Sequence, residues 1–238
     1  MAKVAILYIC IGKYNIFWED FYNSFKKHFL LNSDVHYFVF TDDDQLIYKD
    51  NPDVHVYHQD DLGWPGNTLY RFSMFLTIKE ELKKYDYIYF MNANYICMQD
   101  ISEEEFLPNG NQLVVTLHPG YYDTPVEYLP YCEDRKSTAF ISKYDFRAKH
   151  YFCGGLSGGS SKKYLKMIEK LNRQIRKDDL GGVIATWHDE SHLNKYMISQ
   201  RNYKMLSPAY AYAEELDIPF EKKMFLINKR NKIKLDHI

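Results

Sequence analysis

The first 57 residues alternate between two apolar patterns, and this alternation limits the possible folds more than any other feature. Residues 4–11 are a continuous apolar run rich in β-branched side chains, which is typical of a buried strand. Four phenylalanines then recur at every fourth position, as on one face of a helix: Phe17, Phe21, Phe25 and Phe29. Apolar runs at 35–40 and 54–57 predict two more strands. Strand, helix and strand joined by short loops indicate an α/β fold with parallel pairing.

The rest of the chain continues the mixture of strands and helices. Apolar runs predict strands over 86–91 and 112–117, and helical spacing predicts helices over 67–82 and 164–175. Residues 123–149 are polar and irregular and predict a surface loop. Ligands of parallel α/β sheets bind beyond the carboxyl ends of the strands. Residues 9–14 and the loop that starts at Asp42 are therefore early candidates for ligand binding.

The net charge and the cysteines exclude several classes of protein. A net charge of −2 gives no global field that favours nucleic acid or a membrane surface. The four cysteines lack Cys-x-x-Cys spacing, which argues against a zinc site and a disulfide scaffold. No apolar run approaches the ~20 residues of a membrane helix, and residues 4–11 lack a signal-peptide cleavage site. We expect a soluble, cytoplasmic protein with no nucleic-acid partner and no membrane partner.

The segment 187–196 concentrates polar side chains where a surface helix would disperse them. It reads Trp-His-Asp-Glu-Ser-His-Leu-Asn-Lys-Tyr. An indole beside carboxylates is a common way to hold a sugar, because the ring covers its C–H face and the acids accept its hydroxyls. The same residues would suit an ordinary helix N-terminus capped by Asp189. His188 and His192 have metal-site spacing, but the zinc-protease pattern needs Glu where Asp189 stands, and no third ligand is visible nearby.

The segment 187–196 resembles the hallmark segment of glycosyltransferase family 6, which includes the histo-blood-group A and B transferases and α-1,3-galactosyltransferase. Four other blocks resemble the family in the same order along residues 4–229. They are Trp64 with Arg71 seven residues later, Thr-Leu-His-Pro-Gly at 116–120, the glycine-rich run at 154–160, and Lys-Met-Leu-Ser-Pro-Ala-Tyr at 204–210.

The resemblance implies one catalytic domain of the GT-A type over residues 1–238, with a Rossmann-like mixed sheet flanked by helices. Residues 1–100 would mainly bind the nucleotide, and residues 101–238 would mainly bind the acceptor and end in a basic tail. The implied reaction is retaining transfer of a sugar from a UDP donor to O3 of an acceptor galactose. Diphosphate is a weak base and needs no proton donor, so one carboxylate at the anomeric carbon suffices, unlike the pair of a glycosidase.

The resemblance also implies the residues of the site. Glu190 matches the catalytic glutamate, as nucleophile or as stabiliser of the cation. The donor would contact Ile9, Cys10, Ile11, Tyr14, Thr68, Arg71, Asn92, Ala93, Asn94, Gly154, Gly155, His188, Asp189 and Lys229. The oligosaccharide acceptor would contact Thr116, His118, Trp187 and Glu190. His188 and Asp189 would hold sugar hydroxyls, and Trp187 would stack on the sugar.

The predicted strand 86–91 ends in Asn92-Ala93-Asn94, where enzymes of this fold usually have Asp-x-Asp to bind a divalent cation. Asparagine has no charge and Mg²⁺ and Mn²⁺ are bound chiefly by carboxylates, so we expect no metal and no other cofactor. The two asparagines would also suit a plain turn.

Without a metal, the charge at the diphosphate must come from the protein. The basic tail, residues 222–234, has no acid and six basic residues: Lys222, Lys223, Lys229, Arg230, Lys232 and Lys234. Such a tail is usually solvated. Lys229 aligns with a family lysine at the pyrophosphate, so the tail is predicted to fold over UDP with help from Arg71.

Gly155 stands where family members that prefer galactose tend to have alanine. The missing methyl leaves room for an N-acetyl group, and Gly120 is also as in the A-type enzyme, so UDP-GalNAc is favoured over UDP-Gal. The implied acceptor is a fucosylated galactose of the H type, Fucα1-2Gal. Galactose transfer from UDP-Gal and a non-catalytic glycan-binding homologue remain alternatives, although binding alone needs no carboxylate at the anomeric carbon. The vertebrate members have a membrane anchor that this sequence lacks, which favours a cytoplasmic, bacterial-like member.

Overall fold

The structure is a computed structural model that describes residues 1–233. Lys234 of the basic tail lies outside the described residues. The strands of the described part are β1 (Lys3–Ile9), β2 (Asp34–Thr41), β3 (Val54–His58), β4 (Tyr87–Met91), β5 (Tyr95–Cys97), β6 (Leu113–Leu117), β7 (Phe152–Ser160), β8 (Tyr203–Leu206), β9 (Tyr212–Ala213) and β10 (Met224–Leu226). The helices are α1 (Trp18–His28), α2 (Gly63–Leu69), α3 (Arg71–Thr77), α4 (Lys79–Leu82), α5 (Glu103–Phe106), α6 (Ser161–Leu180), α7 (His188–Met197) and α8 (Lys229–Lys232). Short 3₁₀ helices form at Gly12–Phe17, Val126–Tyr128 and Pro208–Ala211.

Seven strands form one mixed sheet in the order β3-β2-β1-β4-β7-β6-β8. The first four of these are parallel, as the strand–helix–strand pattern predicts. β7 is antiparallel to both neighbours, β4 and β6, and β8 is parallel to β6. The predicted α/β fold, a Rossmann-like mixed sheet flanked by helices, is confirmed. A second sheet of three strands has the order β5-β10-β9 and brings the C-terminal segment back to the residues after β4.

Apolar layers cover both faces of the large sheet. On one face, Phe21 of α1 packs against Tyr8 of β1 with ring centroids 4.4 Å apart, and all four predicted phenylalanines are buried. The other face is covered by α3, α6 and α7. Because aromatic rings bury large apolar areas, these layers fix the sheet against the helices that border the site.

The structure differs from the sequence expectation in three places. The helix predicted over 67–82 is broken into α2, α3 and α4, because Tyr70 and Ile78 are not helical. The glycine-rich run is not recognisable as a strand from its composition, yet it forms the central strand β7. A Cβ atom at Gly158 would lie 2.1 Å from the Tyr89 ring, so β7 can pass this close only with glycine there.

The third difference concerns residues 123–149. The backbone is irregular, as predicted, but the prediction of a plain surface loop is wrong. Leu129, Tyr131, Ile141 and Ala148 are buried in a cluster with Tyr151. The loop is also bonded to α6, since the Ser137 hydroxyl and the Thr138 N–H donate to the carboxylate of Asp178. None of the helices in residues 1–233 is both long and apolar enough to span a bilayer.

Candidate active site

Three cavities meet at Asn92, just beyond the carboxyl end of β4. The first, of about 400 Å³, is lined by Ile9, Ile11, Gly12, Lys13, Tyr14, Asp61, Gly63, Trp64, Asn67, Thr68, Arg71, Phe90, Asn92, Ala93 and Lys229. The second, of about 410 Å³, is lined by Asn92, Tyr95, His118, Pro119, Gly120, Tyr121, Cys153, Gly155, Glu190, Ala213, Glu215, Leu216 and Leu226. The third, of about 400 Å³, is lined by Asn92, Asn94 and residues of the 213–230 segment, including Lys229. The structure thus brings together most residues predicted for a donor and an acceptor.

Three cationic residues line the first cavity: Lys13, Arg71 and Lys229. The Arg71 guanidinium is buried over the Phe90 ring, where it donates to the carbonyls of Thr68 (3.0 Å) and Gly154 (3.2 Å). The Lys229 ammonium lies 5.2 Å from the centre of the Tyr14 ring. Burial, and to a smaller extent the charge of Arg71, lower the pKa of Lys229 to about 8. Three cations in one cavity suit a phosphate-containing ligand.

Asp42 shapes the wall of this cavity. Its carboxylate accepts the Gly12 N–H (2.8 Å and 3.0 Å to the two oxygens) and the Asn15 side-chain amide (3.2 Å). Gly12 has a φ of +56°, a conformation that glycine adopts without steric cost. Asp42, a candidate for direct ligand binding from the sequence, therefore holds the turn that presents Tyr14.

Glu190 lies in the first turn of α7 and lines the second cavity. Its Oε2 accepts the Gly154 N–H at 2.6 Å, and its Oε1 accepts the Tyr151 hydroxyl at 2.8 Å. Burial raises the pKa of Glu190 to about 7, although both hydrogen bonds favour the ionised form. A carboxylate in this state is poised between protonation forms at neutral pH.

The adjacent Asp189 points toward the other cavity. It is buried, and its Oδ2 lies 3.2 Å from Nε of Arg71. Burial raises the pKa of Asp189 to about 6, and the charge of Arg71 opposes this rise. One helical turn thus supplies a carboxylate to each side of Gly154: Asp189 toward Arg71, and Glu190 toward Tyr151.

Asn194 fixes this turn of α7 against β7. Its amide donates to the carbonyls of Phe152 and Glu190, and its Oδ1 accepts the Phe152 N–H, all at 2.9 Å. Neither Asn194 nor Tyr151 is among the residues predicted for the site. Asn194 belongs to the segment 187–196 and could have been found there, whereas nothing but its place before the glycine-rich run marks Tyr151.

The other residues predicted for the site differ in how far they are buried and in whether they line a cavity. His118 lines the second cavity; burial lowers its pKa to about 4, and its Nδ1 accepts the Gly120 N–H. Cys10 and Thr116 are fully buried and line none of these three cavities, and their contact with ligands stays a prediction. His188 packs edge-on against the Trp64 ring, and Trp187 is about half exposed.

Sequence comparisons identify the family to which the chain with this site belongs. A model of glycosyltransferase family 6 matches residues 2–235. The chain belongs to glycosyltransferase family 6. The family acts on a nucleotide-sugar donor and a glycan acceptor, which agrees with two cavities meeting at one residue.

Three relatives of this glycosyltransferase, one bacterial and two mammalian, show how similar it is to other members of the family. It is 29% identical over 226 residues to the O-antigen biosynthesis glycosyltransferase WbnI of Escherichia coli, covering 95% of this chain and 94% of that protein. It is 26% identical to the human globoside α-1,3-N-acetylgalactosaminyltransferase 1, covering 96% of this chain and 66% of that protein. It is 28% identical to the rat histo-blood group ABO system transferase 1, covering 90% and 62%. The chain therefore spans slightly less than two thirds of these two mammalian relatives.

The residues after β4 do not fit the divalent cation of the wider fold. The Asn94 amide donates to the Ile227 carbonyl at 2.7 Å, and its Oδ1 is buried with no hydrogen-bond partner among residues 1–233. Two neutral amides are a poor donor set for Mg²⁺ or Mn²⁺. In the same part of the chain, no three His, Cys, Asp or Glu side chains are grouped as ligands for one ion. That the reaction needs no metal stays a prediction.

Proposed function

We propose that this family 6 glycosyltransferase transfers N-acetylgalactosamine from UDP-GalNAc to O3 of galactose in a Fucα1-2Gal acceptor, with retention of configuration and without a divalent metal. One observation supports it most: a cavity lined by three cationic residues, Arg71 and Lys229 among them, and a cavity with a buried carboxylate meet at Asn92. Transfer between two sugars needs such a junction, because the anomeric carbon must lie between the leaving diphosphate and the acceptor hydroxyl.

On the donor side, UDP occupies the first cavity. Lys229 and Arg71 stabilise the negative charge that develops on the diphosphate as the glycosidic bond breaks. Arg71 is held by two backbone carbonyls and Asp189, so its guanidinium needs no reorganisation during the reaction. The Tyr14 ring lies 5.2 Å from the Lys229 ammonium and adds a cation–π contact.

At the reacting carbon, the ionised Glu190 stabilises the oxocarbenium-like centre, with or without a covalent bond to it. The Gly154 N–H and the Tyr151 hydroxyl orient its two oxygens and favour the charged form. Burial favours the neutral form of Glu190. It also keeps the carboxylate poorly solvated, and this strengthens the interaction of the ionised form with a cation.

On the acceptor side, the galactose occupies the second cavity beside His118. The low pKa of His118 keeps its ring neutral at pH 7, and the Gly120 N–H occupies Nδ1. In that tautomer Nε2 carries the proton and donates to an acceptor hydroxyl.

The preference for N-acetylgalactosamine rests on Gly155 and on the named activity of the globoside transferases among the relatives. Gly155 lines the second cavity, and a Cβ atom there would lie 2.9 Å from Nδ2 of Asn92. The absent methyl leaves this junction open for the N-acetyl group.

A UDP-release assay tests the proposal. We expect UDP release from UDP-GalNAc that depends on 2′-fucosylated galactoside, exceeds that from UDP-Gal and is undiminished in excess chelator. Strict dependence on Mn²⁺ would contradict the metal-free reaction. A glycan-binding homologue would bind the acceptor without releasing UDP from either donor.

Glu190→Gln provides the matched test of catalysis. We expect it to lower turnover by at least ~100-fold, the scale of losing a group that acts on developing charge. Glu169→Gln is the control, since Glu169 pairs on the surface with Lys79 and should leave turnover unchanged. Full activity of Glu190→Gln would exclude the proposed role.

A further inference from the structure

Asn94 holds the C-terminal segment through two hydrogen bonds to Ile227. Its side-chain amide donates to the Ile227 carbonyl at 2.7 Å, and the Ile227 N–H donates to the Asn94 carbonyl at 3.0 Å. β5 and β10 pair antiparallel up to Leu226 and Tyr95, so the backbone bond extends that ladder by one residue pair and the side-chain bond reinforces it. We call these two bonds the Asn94–Ile227 anchor.

The chemistry at this position requires an amide. A backbone carbonyl only accepts hydrogen bonds, so the atom that faces Ile227 must be a donor. The Oδ1 of Asn94 is buried and, within residues 1–233, meets no donor. An aspartate here would set an oxygen against the Ile227 carbonyl and leave its other oxygen without a partner. Burying an ionised carboxylate in this way is costly.

The anchor lies immediately before Lys229. Asn228 caps α8, since its Oδ1 accepts the Arg230 N–H at 3.0 Å, and Lys229 is the first residue of that helix. At the far end of α8, Lys232 pairs with Asp20 of α1. Lys229 is thus held in the first cavity from both sides: by the Asn94–Ile227 anchor before it, by the Lys232–Asp20 pair after it, and by Glu214, which accepts from the Asn228 N–H and the Asn231 amide.

We propose that Asn94 is a positioning residue: its amide fixes the basic tail so that Lys229 reaches the diphosphate. This rests on the proposed function, in which Lys229 stabilises the leaving group. Asn94, the second asparagine of Asn92-Ala93-Asn94, then has a structural role of its own besides lacking the charge of a metal-binding aspartate. It supplies the hydrogen-bond donor that keeps the substituting cation in place.

Trypsin accessibility of the tail tests the anchor independently of turnover. Asn94→Asp should increase the rate of cleavage after Lys229 and Arg230 by about tenfold, the scale of one lost buried hydrogen bond. Mass spectrometry of the intact protein follows the cleavage. The control is Asn111→Asp, the same change at an exposed asparagine whose Oδ1 accepts from Ser160, a role that aspartate keeps. It should be cleaved like the parent. Equal protection of Asn94→Asp and parent would overturn the anchor.

Turnover and metal titration give the second readout. Asn94→Asp should lower kcat by about tenfold at saturating donor, and Mn²⁺ should not restore it. Recovery with Mn²⁺ would overturn the proposal, because position 94 would then be a metal site and not an anchor. Should Asn94→Asp not fold, as judged by thermal melting, Asn94→Ala removes the donor without a buried charge and should loosen the tail in the same way.

The two proposals fail separately. A parent enzyme without transferase activity, combined with a tail that Asn94→Asp releases, would refute the proposed function and keep the anchor. An active parent whose tail is equally protected in both proteins would refute the anchor and keep the function.

Discussion

The hydroxyl of Tyr151 donates a hydrogen bond to Oε1 of Glu190 across 2.8 Å. Tyr151 is the residue before β7 and is buried, and burial together with the charge of Glu190 raises its own pKa well above the usual value. It therefore stays a protonated donor at all working pH values. Gly154, three residues further along the same segment, donates to the other oxygen, so one stretch of backbone orients the whole carboxylate.

Tyr151→Phe should therefore shift the pH dependence of the enzyme. The hydrogen bond stabilises the ionised form of Glu190, so removing it raises the pKa of Glu190 above its value of about 7. We expect kcat/KM at pH 6.5 to fall about tenfold, with a smaller loss at pH 8 where the carboxylate is again ionised. Tyr131→Phe is the control, because its hydroxyl donates to the His150 carbonyl and not to Glu190. An equal loss at both pH values would show that the hydroxyl does not act through the pKa of Glu190.

The unsubstituted enzyme should show a narrow, bell-shaped dependence of kcat/KM on pH. Activity rises as the coupled acids lose their protons, with pKa values raised by burial to about 6 for Asp189 and about 7 for Glu190. It falls as Lys229 loses its charge, because burial lowers the pKa of that ammonium to about 8. The maximum of kcat/KM, which reports the free enzyme, should therefore lie between pH 7 and 8.

Substitutions of Lys229 separate the two limbs of that profile. Lys229→Arg keeps a permanent charge, so the alkaline limb should move beyond pH 10 while the acidic limb stays. Lys229→Ala should lower kcat at every pH, because it raises the activation free energy by an amount on the order of 2.7–4 kcal/mol. An unchanged alkaline limb in Lys229→Arg would assign that limb to another group, and normal turnover of Lys229→Ala would exclude the tail from catalysis.

Asn194→Ala should weaken both the fold and the reaction. Asn194 is buried and makes three hydrogen bonds, and its loss leaves the Phe152 N–H and carbonyl unpaired between α7 and β7. We expect the free energy of unfolding in urea to fall by about 1–3 kcal/mol, and kcat to fall because Glu190 is no longer fixed. Asn202→Ala, at an exposed position, should change neither quantity. Unaltered stability of Asn194→Ala would mean that water or a shift of α7 satisfies the freed groups.

The sequence predicts the elements that are built from continuous apolar runs. β1 to β4 and β6 appear where such runs occur; the clearest are β1 and β4, which lie inside the parallel region and need apolar side chains on both faces. It does not predict β7 as a strand, since glycine is rare in strands; at Gly158 and Gly159 the neighbouring residues leave no room for a side chain. The breaks at Tyr70 and Ile78 leave the apolar spacing intact and are equally invisible.

For the candidate site, the sequence names most of the residues but not the contacts between them. Glu190, Arg71 and Lys229 are named from their motifs, which are short and local. Their relation depends on contacts between residues far apart in the chain, such as Gly154 with Arg71 and Asn94 with Ile227. Such pairings follow from strand order, and the order around β7 cannot be derived from apolar patterns.

Gly155 and Gly154 offer a matched pair for the choice of donor. A Cβ atom at Gly155 would lie 2.9 Å from Nδ2 of Asn92, the mobile end of a side chain, so the methyl can be accommodated and narrows the junction of the cavities. Gly155→Ala should therefore shift the ratio of kcat/KM for UDP-GalNAc over UDP-Gal toward galactose by the ~1–3 kcal/mol that a methyl contributes.

Gly154→Ala, in contrast, should not change that ratio. Its Cβ atom would lie 3.1 Å from Cβ and 3.4 Å from Oε2 of Glu190, so the methyl displaces the carboxylate and slows transfer from both donors alike. Competition between the two UDP-sugars, with products separated by mass, measures the ratio directly in each variant. A ratio that is unchanged in Gly155→Ala would remove this residue from donor selection. A ratio that shifts equally in both variants would attribute selection to the position of Glu190, since only that carboxylate is displaced by the methyl at Gly154.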